Sequence, residues 1–174
     1  MNGPKRTGLF KEIRCRWRNS MKLSTLCYLD NGTEYLMMHR NRKTDDPNYG
    51  KWIGVGGKLL ENESPDECLL REVLEETGLK LLRYRMRGII TFVSDLWETE
   101  YMFLYTADAW EPSEQNSAEN MYECDEGMLE WVPKADVMSL KLWPGDREFL
   151  RRLEDEEFFT MKLVYEGDGL ADIK

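Results

Sequence analysis

Residues Gly57 to Leu79 read GKLLENESPDECLLREVLEETGL, and this stretch contains the most specific pattern in the chain. Its fixed points follow the pattern G-x5-E-x7-R-E-U-x-E-E-x-G-U, in which U is an aliphatic residue. They are Gly57, Glu63, Arg71, Glu72, Val73, Glu75, Glu76, Gly78 and Leu79. A lone Gly-rich motif would be weak evidence, but nine matched positions at fixed spacing are a specific signal.

The second half of the stretch predicts a helix from Pro65 to Thr77. Ser64 is placed to cap its start, and Glu67, three residues later, completes a capping box. Proline is favoured at the first helical position, and a glycine, here Gly78, can adopt the left-handed conformation that ends a helix.

Three glutamates of this helix share one face. At 100° per residue, Glu72, Glu75 and Glu76 fall within about a third of the circumference. We expect the opposite side to enter the core through Leu70, Val73 and Leu74. Like charges this close repel each other, and a divalent cation would remove the repulsion.

The segment before the helix favours a metal site over a merely solvated charged face. Val55-Gly56-Gly57-Lys58 can turn carbonyl oxygens toward a metal and the Lys58 amine toward a phosphate. Oxygen ligands without nearby His or Cys suit Mg²⁺, for which Mn²⁺ can substitute. The predicted ligands here are Gly56, Gly57, Glu72, Glu75 and Glu76.

The bulk composition is that of a small enzyme. The 174 residues, 41% of them hydrophobic, are enough for one domain with a core. No apolar run approaches 18 residues, so we expect no membrane span. Four scattered cysteines without a CxxC pair favour reduced thiols and a cytoplasmic location. The single histidine, His39, excludes an HExxH zinc site and argues against a Ser-His-Asp mechanism.

Charge is distributed unevenly along the chain. Residues 1–20 contain six basic residues and one acidic residue, a net charge of +5. The remainder contains 18 of the 24 basic and 32 of the 33 acidic residues, a net charge of −14. An acidic body disfavours stable nucleic-acid binding. We interpret residues 1–20 as a flexible extension, with an arm for nucleic acid, membrane or targeting as the alternative, and residues 21–174 as one domain, either monomeric or homodimeric.

The rest of the chain alternates between strand-like and helix-like segments. Asp30-Asn31-Gly32 is a hairpin signal between the first two strands. The predicted strands are 23–29, 34–40, 83–93, 100–109, 127–132 and 158–165. Short helices are predicted at 133–140 and 146–157, and polar loops at 41–51 and 111–124. This order indicates an α/β fold with a mixed sheet between helices.

The pattern from Gly57 to Leu79 resembles the signature of the Nudix hydrolases. That resemblance implies an α/β/α sandwich with a mixed β-sheet, in which the signature forms a catalytic loop-helix-loop. It also implies hydrolysis of a nucleoside diphosphate linked to another group, with Glu72 and Glu76 as principal metal ligands. Arg71 and Glu63 would brace the motif. The general base stays open among Glu72, Glu75 and a later glutamate, and we favour Glu72 or Glu126.

From Leu23 to Tyr165 the chain is similar to the MutT-like branch, in particular to enzymes that hydrolyse oxidised purine nucleoside triphosphates. Three segments carry this likeness: Lys51-Trp52-x-Gly54-x-Gly56-Gly57-Lys58, Glu123-x-Asp125-Glu126 with Trp131, and Trp143-Pro144-Gly145-Asp146. The likeness implies that Glu126 adds a metal-site carboxylate, Trp143 stacks on a purine and Asp146 binds its edge. The substrate-binding candidates are Lys58, Gly57, Trp143, Asp146, His39 and Ile53.

Two positions depart from that branch. Ile53 stands where a base-reading asparagine is expected, and Gly145 replaces the first of two aspartates. The predicted reaction is Mg²⁺-dependent hydrolysis of nucleoside triphosphates, such as 8-oxo-dGTP, to a monophosphate and pyrophosphate, which would cleanse the nucleotide pool. The alternatives are a pyrophosphatase for another conjugate, such as ADP-ribose, and a sensor that binds a nucleotide without cleaving it. Trp143 could also be a core aromatic, Asp146 a helix N-cap and His39 a structural histidine.

Overall fold

The computed structural model describes residues 21–113, 124–155 and 157–174. The predicted extension 1–20 and most of the predicted loop 111–124 lie outside these ranges. The strands are β1 (Lys22–Asp30), β2 (Glu34–His39), β3 (Trp52–Ile53), β4 (Leu79–Ser94), β5 (Glu100–Pro112), β6 (Met128–Pro133), β7 (Phe159–Glu166) and β8 (Gly169–Ile173). The helices are α1 (Pro65–Thr77), α2 (Lys134–Val137) and α3 (Asp146–Leu150).

All eight strands form one mixed sheet. Its order is β3-β2-β1-β5-β4-β7-β8, and β6 pairs with β2 off this path. β1 runs parallel to β5, and β4 runs parallel to β7, whereas the other pairs are antiparallel. The predicted hairpin joins β1 to β2, with Gly32 at φ 102° in its turn. The mixed α/β fold is therefore confirmed.

The two faces of the sheet pack against different helices. Successive side chains of β1 point to opposite faces, as the pleat requires. Cys27 and Leu29 lie in the cluster that contains Leu69 and Val73 of α1. Tyr28 lies in the other cluster, with Val137 of α2 and with Phe149 and Leu150 of α3. Helices thus cover both faces, and we call these two sides the α1 face and the α3 face.

Helix α1 has the predicted ends but a different buried stripe. The Ser64 side chain accepts a hydrogen bond from the Glu67 backbone, the reciprocal bond completes the capping box, and Gly78 takes the left-handed conformation at φ 69°. The prediction that Leu70 and Leu74 enter the core was wrong, since they are 37% and 41% exposed. The buried stripe is instead Leu69, Val73 and Thr77. The apolar residues of α1 are not confined to one narrow stripe, so their pattern alone did not show which of them face the sheet.

The other differences lie toward the C-terminus and in strand length. β4 and β5 are longer than predicted, α2 and α3 are shorter, and the sequence analysis missed the short strand β3 and the final strand β8. β8 follows a turn at Gly167, where φ is 59°, and most of its side chains are exposed. It therefore lacked the alternation that identifies a half-buried strand. Within the described ranges, no helix is long and apolar enough to cross a membrane.

Candidate active site

The loop Val55–Lys58 is fixed to β1 by backbone hydrogen bonds. The Thr25 amide donates to the Gly57 carbonyl at 2.8 Å, and Cys27 and Val55 exchange two bonds of 2.7 and 2.9 Å. At Gly56, φ is 152°, and a Cβ there would overlap the Thr25 carbonyl. Only glycine fits this close approach, so the backbone lies directly against the sheet.

Two glutamates one helical turn apart lie against this loop. The Gly56 amide donates a 3.0 Å hydrogen bond to Glu76 Oε2. The Glu72 carboxyl group packs on Gly57 so closely that a Cβ at Gly57 would overlap it. The structure therefore brings Gly56, Gly57, Glu72 and Glu76 together.

Arg71 ties the loop and the helix together. Its guanidinium contacts Glu63 through Nε at 2.7 Å and Nη2 at 2.9 Å, and Nη2 also donates to the Lys58 carbonyl at 3.1 Å. Nη1 contacts Glu72 at 2.7 Å and Glu75 at 3.2 Å. The paired contact with Arg71 lowers the pKa of Glu63 to about 2. These contacts are those expected of a brace that orients the carboxylates.

Glu76 is in a different electrostatic position. Its pKa is raised from 4.5 to about 7, mainly by burial and in addition by the charges of Glu72 and Glu75. The Gly56 N–H group and the charge of Arg40 act in the opposite direction. Glu76 is thus a partly buried carboxylate whose negative charge is only partly compensated, a state that a bound cation would stabilise.

The residues present fit a hard divalent cation. Glu72 and Glu76 supply carboxylate oxygens beside the carbonyl-rich Gly56-Gly57 loop, a donor set that suits Mg²⁺ or Mn²⁺. Glu75 does not belong to this pair. Its side chain is 59% exposed and contacts Arg71. Over the described residues, no group of three or more His, Cys, Asp or Glu side chains is arranged to hold a metal ion. The site would therefore consist of the Glu72–Glu76 pair and the Gly56-Gly57 loop, and it would be complete only with the metal ion bound.

Glu126 is held by basic residues next to this site. It forms ion pairs with Arg40 and, at 3.7 Å, with Lys43. Arg40 also binds Asp46 at 2.6 and 2.7 Å. The sequence analysis missed Arg40, although a basic residue at the end of a strand that leads toward the site was a usable signal. Because Arg40 also lowers the pKa of Glu76, Glu126 and Glu76 share one cationic neighbour.

The candidates for base recognition lie mainly on the α3 face. Trp143 is half-buried against the α3-face cluster, and its indole N–H donates to Asn48 Oδ1 at 2.7 Å. Asp146 is buried, and loss of solvent raises its pKa to about 7, against the charges of Lys51 and Arg147. Asp146 is the first residue of α3 and not its N-cap, which is Gly145 without a side-chain capping bond. The N-cap interpretation of Asp146 is therefore wrong.

Ile53 on β3 and His39 on β2 belong to neighbouring pairs of the sheet, whose side chains point to opposite faces. Ile53 pairs with Met38 and packs into the α1-face cluster, whereas Trp143 packs into the α3-face cluster. His39 pairs with Trp52, and their rings stack at 4.7 Å with 4° between planes. The structure therefore does not bring Ile53 and Trp143 into one cluster.

Four further residues surround Trp143 or Asp146, and the sequence analysis gave them no role in binding. The Lys51 amine lies 3.7 Å from the centre of the Trp143 ring, and Trp97 meets that ring edge-on at 6.0 Å. Among the described residues, the Tyr28 hydroxyl is buried without a hydrogen-bond partner, although a backbone group of Gly54 lies near it. Asn48 and Lys51 come from the polar loop 41–51, and Trp97 from the turn before β5. Because these contacts join distant segments, local sequence patterns could not indicate them.

Comparison with known proteins bears on the family of this chain. The family model of the NUDIX domain matches residues 21–153. An uncharacterized Nudix hydrolase, YvcI, of Bacillus subtilis is 30% identical over 130 residues, which cover 72% of this chain and 75% of that protein. An oxidized purine nucleoside triphosphate hydrolase of Danio rerio is 31% identical over 99 residues, covering 56% of this chain and 58% of that protein. A diphosphoinositol polyphosphate phosphohydrolase 3-alpha of Mus musculus is 30% identical over 97 residues, covering 53% and 56%.

Among solved structures, a MutT protein from Bacillus halodurans superposes with a TM-score of 0.75. It is 24% identical, and the match covers 88% of this chain and 96% of that one, so this likeness bears on the fold. The family match spans well over half of the chain and includes the whole loop-helix-loop from Gly57 to Leu79. The chain belongs to the Nudix family and is a hydrolase that acts on phosphoric anhydrides.

Proposed function

We propose that this Nudix hydrolase converts nucleoside triphosphates to nucleoside monophosphates and pyrophosphate, with Mg²⁺ or, as a substitute, Mn²⁺. The proposed substrates are oxidised purine nucleotides such as 8-oxo-dGTP, and the proposed role is cleansing of a cytoplasmic nucleotide pool. The observation that carries the chemistry is the placement of Glu72 and Glu76 against Gly56 and Gly57.

The residues have distinct tasks in this reaction. Glu72, Glu76 and a carbonyl of the Gly56-Gly57 loop would hold the metal, with Glu126 as an added ligand. The bound metal would neutralise the phosphate oxygens and make a bound water more acidic. A water oxygen bonds to one phosphorus of the anhydride between the α- and β-phosphates, the bond from that phosphorus to the bridging oxygen breaks, and the electron pair leaves with the other phosphate product. Glu72 or Glu126 accepts the water proton, while Arg71 keeps the Glu72 carboxylate in place.

The base-recognition part of the proposal is supported by the α3 face. There an indole lies beside a buried carboxyl group, Trp143 and Asp146, which together offer a stacking surface and a polar contact. The oxidized purine relative from Danio rerio supports the same substrate class. Stable nucleic-acid binding is not part of the proposal, since residues 21–174 carry a net charge of −14.

A second substrate class is favoured by two specific observations. Ile53 offers no polar group and packs on the α1 face, and Gly145 is enclosed by Leu163 and Tyr165. The chain is also as similar to a diphosphoinositol polyphosphate phosphohydrolase as to the oxidized purine enzyme. The same chemistry on another phosphoric anhydride, such as the nucleoside diphosphate conjugate ADP-ribose, is therefore the alternative. A sensor without activity is disfavoured because every glutamate of the signature is present.

The test is release of pyrophosphate and phosphate from a panel of 8-oxo-dGTP, dGTP, the other dNTPs and ADP-ribose with Mg²⁺. We expect kcat/KM for 8-oxo-dGTP to exceed that for dGTP clearly. Turnover of ADP-ribose without turnover of any triphosphate would keep the chemistry and reject the proposed substrate.

The same assay on Glu76→Gln tests the metal site. We expect nearly complete loss of turnover with the fold intact, because the amide retains the acceptor for Gly56 but not the charge. The matched control is Glu130→Gln, which removes one negative charge from an exposed position on β6 and should leave turnover unchanged. Full activity of Glu76→Gln would remove the metal-helix mechanism.

A further inference from the structure

The loop 41–51 holds Trp143 from two directions. The Lys51 amine lies over the indole ring at 3.7 Å and donates to the Pro47 carbonyl at 3.1 Å, while Asn48 binds the indole N–H. An ammonium group at this distance from a Trp ring is attracted to its face. Lys51 is therefore a cation held against the indole ring of Trp143, the residue assigned above to base stacking.

Lys51 is also the main positive charge acting on Asp146. Its charge lowers the pKa of this buried carboxyl group more than the charge of Arg147 does. In turn, burial lowers the pKa of Lys51, while the charges of Asp168 and Asp146 partly restore it. The Lys51 amine, which lies over the indole ring, and the buried Asp146 carboxyl group are thus within electrostatic reach of each other.

The two positions that the sequence likeness assigns to base reading do not supply polar side chains here. Ile53 is apolar and lies in the α1-face cluster. At Gly145, a Cβ would overlap Leu163 and the Tyr165 hydroxyl, and that hydroxyl already accepts a 2.7 Å bond from the Gly145 amide. No side chain can be added at Gly145 without moving its neighbours. Discrimination between bases must therefore come from other polar groups around Trp143.

We propose that Lys51 is a specificity-determining residue that selects a base with a carbonyl oxygen, as in guanine and its oxidised form, over a base with an amino group, as in adenine. This inference rests on the proposed function. An ammonium group can only donate hydrogen bonds. Guanine presents the acceptor O6 at the position where adenine presents the donor N6–H₂. Lys51 would bond to O6, and Asp146 beside it would accept from the neighbouring N–H groups of guanine.

The test compares Lys51→Met, Lys51→Arg and a matched control, Lys141→Met. Lys141 is an exposed neighbour whose charge acts on Lys51, so the control removes a nearby positive charge without touching the indole. kcat and KM are measured with dGTP, 8-oxo-dGTP and dATP. Binding of GMP and AMP without metal is followed by tryptophan fluorescence, and a thermal melt checks each fold.

We expect the wild-type protein to favour dGTP over dATP. Lys51→Met should lower the ratio of their kcat/KM values about tenfold, which corresponds to ~1.4 kcal/mol, mainly through KM for the guanine nucleotides. GMP binding should weaken while AMP binding changes little. Lys51→Arg should retain the preference, because it still donates, and Lys141→Met should resemble the wild type.

The outcomes separate this inference from the proposed function. Equal losses for guanine and adenine nucleotides in Lys51→Met would show that Lys51 only holds Trp143, and an unchanged ratio would also overturn the inference. In both cases turnover of triphosphates by the wild type would leave the proposed function standing. A wild-type protein that hydrolyses no triphosphate would reject the proposed function and this role of Lys51 together.

Discussion

Replacing Glu76 by glutamine should stabilise the metal-free protein while abolishing its activity. The carboxyl group is partly buried in α1 beside the Gly56-Gly57 loop, and its pKa is raised from 4.5 to about 7 because ionisation is unfavourable there. Glutamine keeps an oxygen that can accept the 3.0 Å hydrogen bond from the Gly56 amide. The substitution therefore removes the buried charge and retains the contact.

The size of the change in stability, and the pH range in which it occurs, follow from the difference between the pKa of Glu76 in the folded and in the unfolded state. Between pH 4.5 and 7 the carboxyl group is ionised in the unfolded chain but protonated in the folded protein, so stability falls as the pH rises through this window. Above pH 7 the full loss in the free energy of unfolding is reached. It amounts to about 3 kcal/mol, at 1.36 kcal/mol for each pKa unit. Near pH 5 it is below about 1 kcal/mol. Glu76→Gln should therefore exceed the wild type in stability at pH 8 and nearly match it at pH 5.

The assay is urea denaturation in the presence of a chelator at pH 5 and pH 8. Glu75→Gln is the matched control, because it lies next to Glu76 in the same helix but is 59% exposed. Its contact with Arg71 is on the surface, so we expect a change within about 0.5 kcal/mol at either pH. Added Mg²⁺ should then raise the stability of the wild type at pH 8 more than that of Glu76→Gln, because a ligand that binds the folded state stabilises it.

One result would refute this reasoning. If Glu76→Gln and the wild type unfold at the same urea concentration at pH 8 without metal, the Glu76 charge is well solvated or fully compensated. In that case no cation would be needed to neutralise the Glu76 carboxylate, even if the variant were inactive.

Three further substitutions test the loop, the helix cap and the base pocket. Gly57→Ala should push the Glu72 carboxyl group out of place, because the new methyl group would overlap it, and raise the Mg²⁺ concentration needed for half-maximal activity about tenfold or more, measured by Mg²⁺ titration. Ser64→Ala removes the capping box and should lower the free energy of unfolding by about 1 kcal/mol with little change in kcat. Asp146→Asn should stabilise the protein by up to about 4 kcal/mol at pH 8.5 but little at pH 4, because the pKa of the buried carboxyl group is raised from 3.8 to about 7. Denaturation curves at the two pH values measure this, and KM for 8-oxo-dGTP should rise in the same variant.

The ends of α1 and the shared face of its glutamates were predictable because their signals are local. Ser64 and Gly78 act on backbone groups within one turn, and the Glu72–Glu76 spacing follows from helical periodicity alone. The stripe that faces the sheet was not predictable, since Leu69 and Leu70 are adjacent and equally apolar. The choice of Leu69 depends on the direction from which β1 and β4 approach the helix, and this is a tertiary property.

The contacts of Trp143 could not be predicted from the sequence for a related reason. Its contacts come from Asn48 and Lys51 in one loop, Trp97 in another and Tyr165 on β7. These segments are far apart in the chain, and a polar loop such as 41–51 has no periodicity from which its contacts could be inferred. The same holds for Gly145. Its packing against β7 explains why a glycine stands at this position, and the sequence alone does not show that packing.

The four glutamates of the signature divide their tasks through Arg71. Arg71 contacts Glu63, Glu72 and Glu75, so these carboxylates have a compensating charge within the protein. Glu76 instead receives a backbone N–H group and the more distant charge of Arg40. Arg71 therefore offsets part of the repulsion among these three carboxylates within the protein itself. The unbalanced charge is concentrated on Glu76, at the point where the helix meets the Gly56-Gly57 loop, and this is where binding of a cation yields the largest gain in stability.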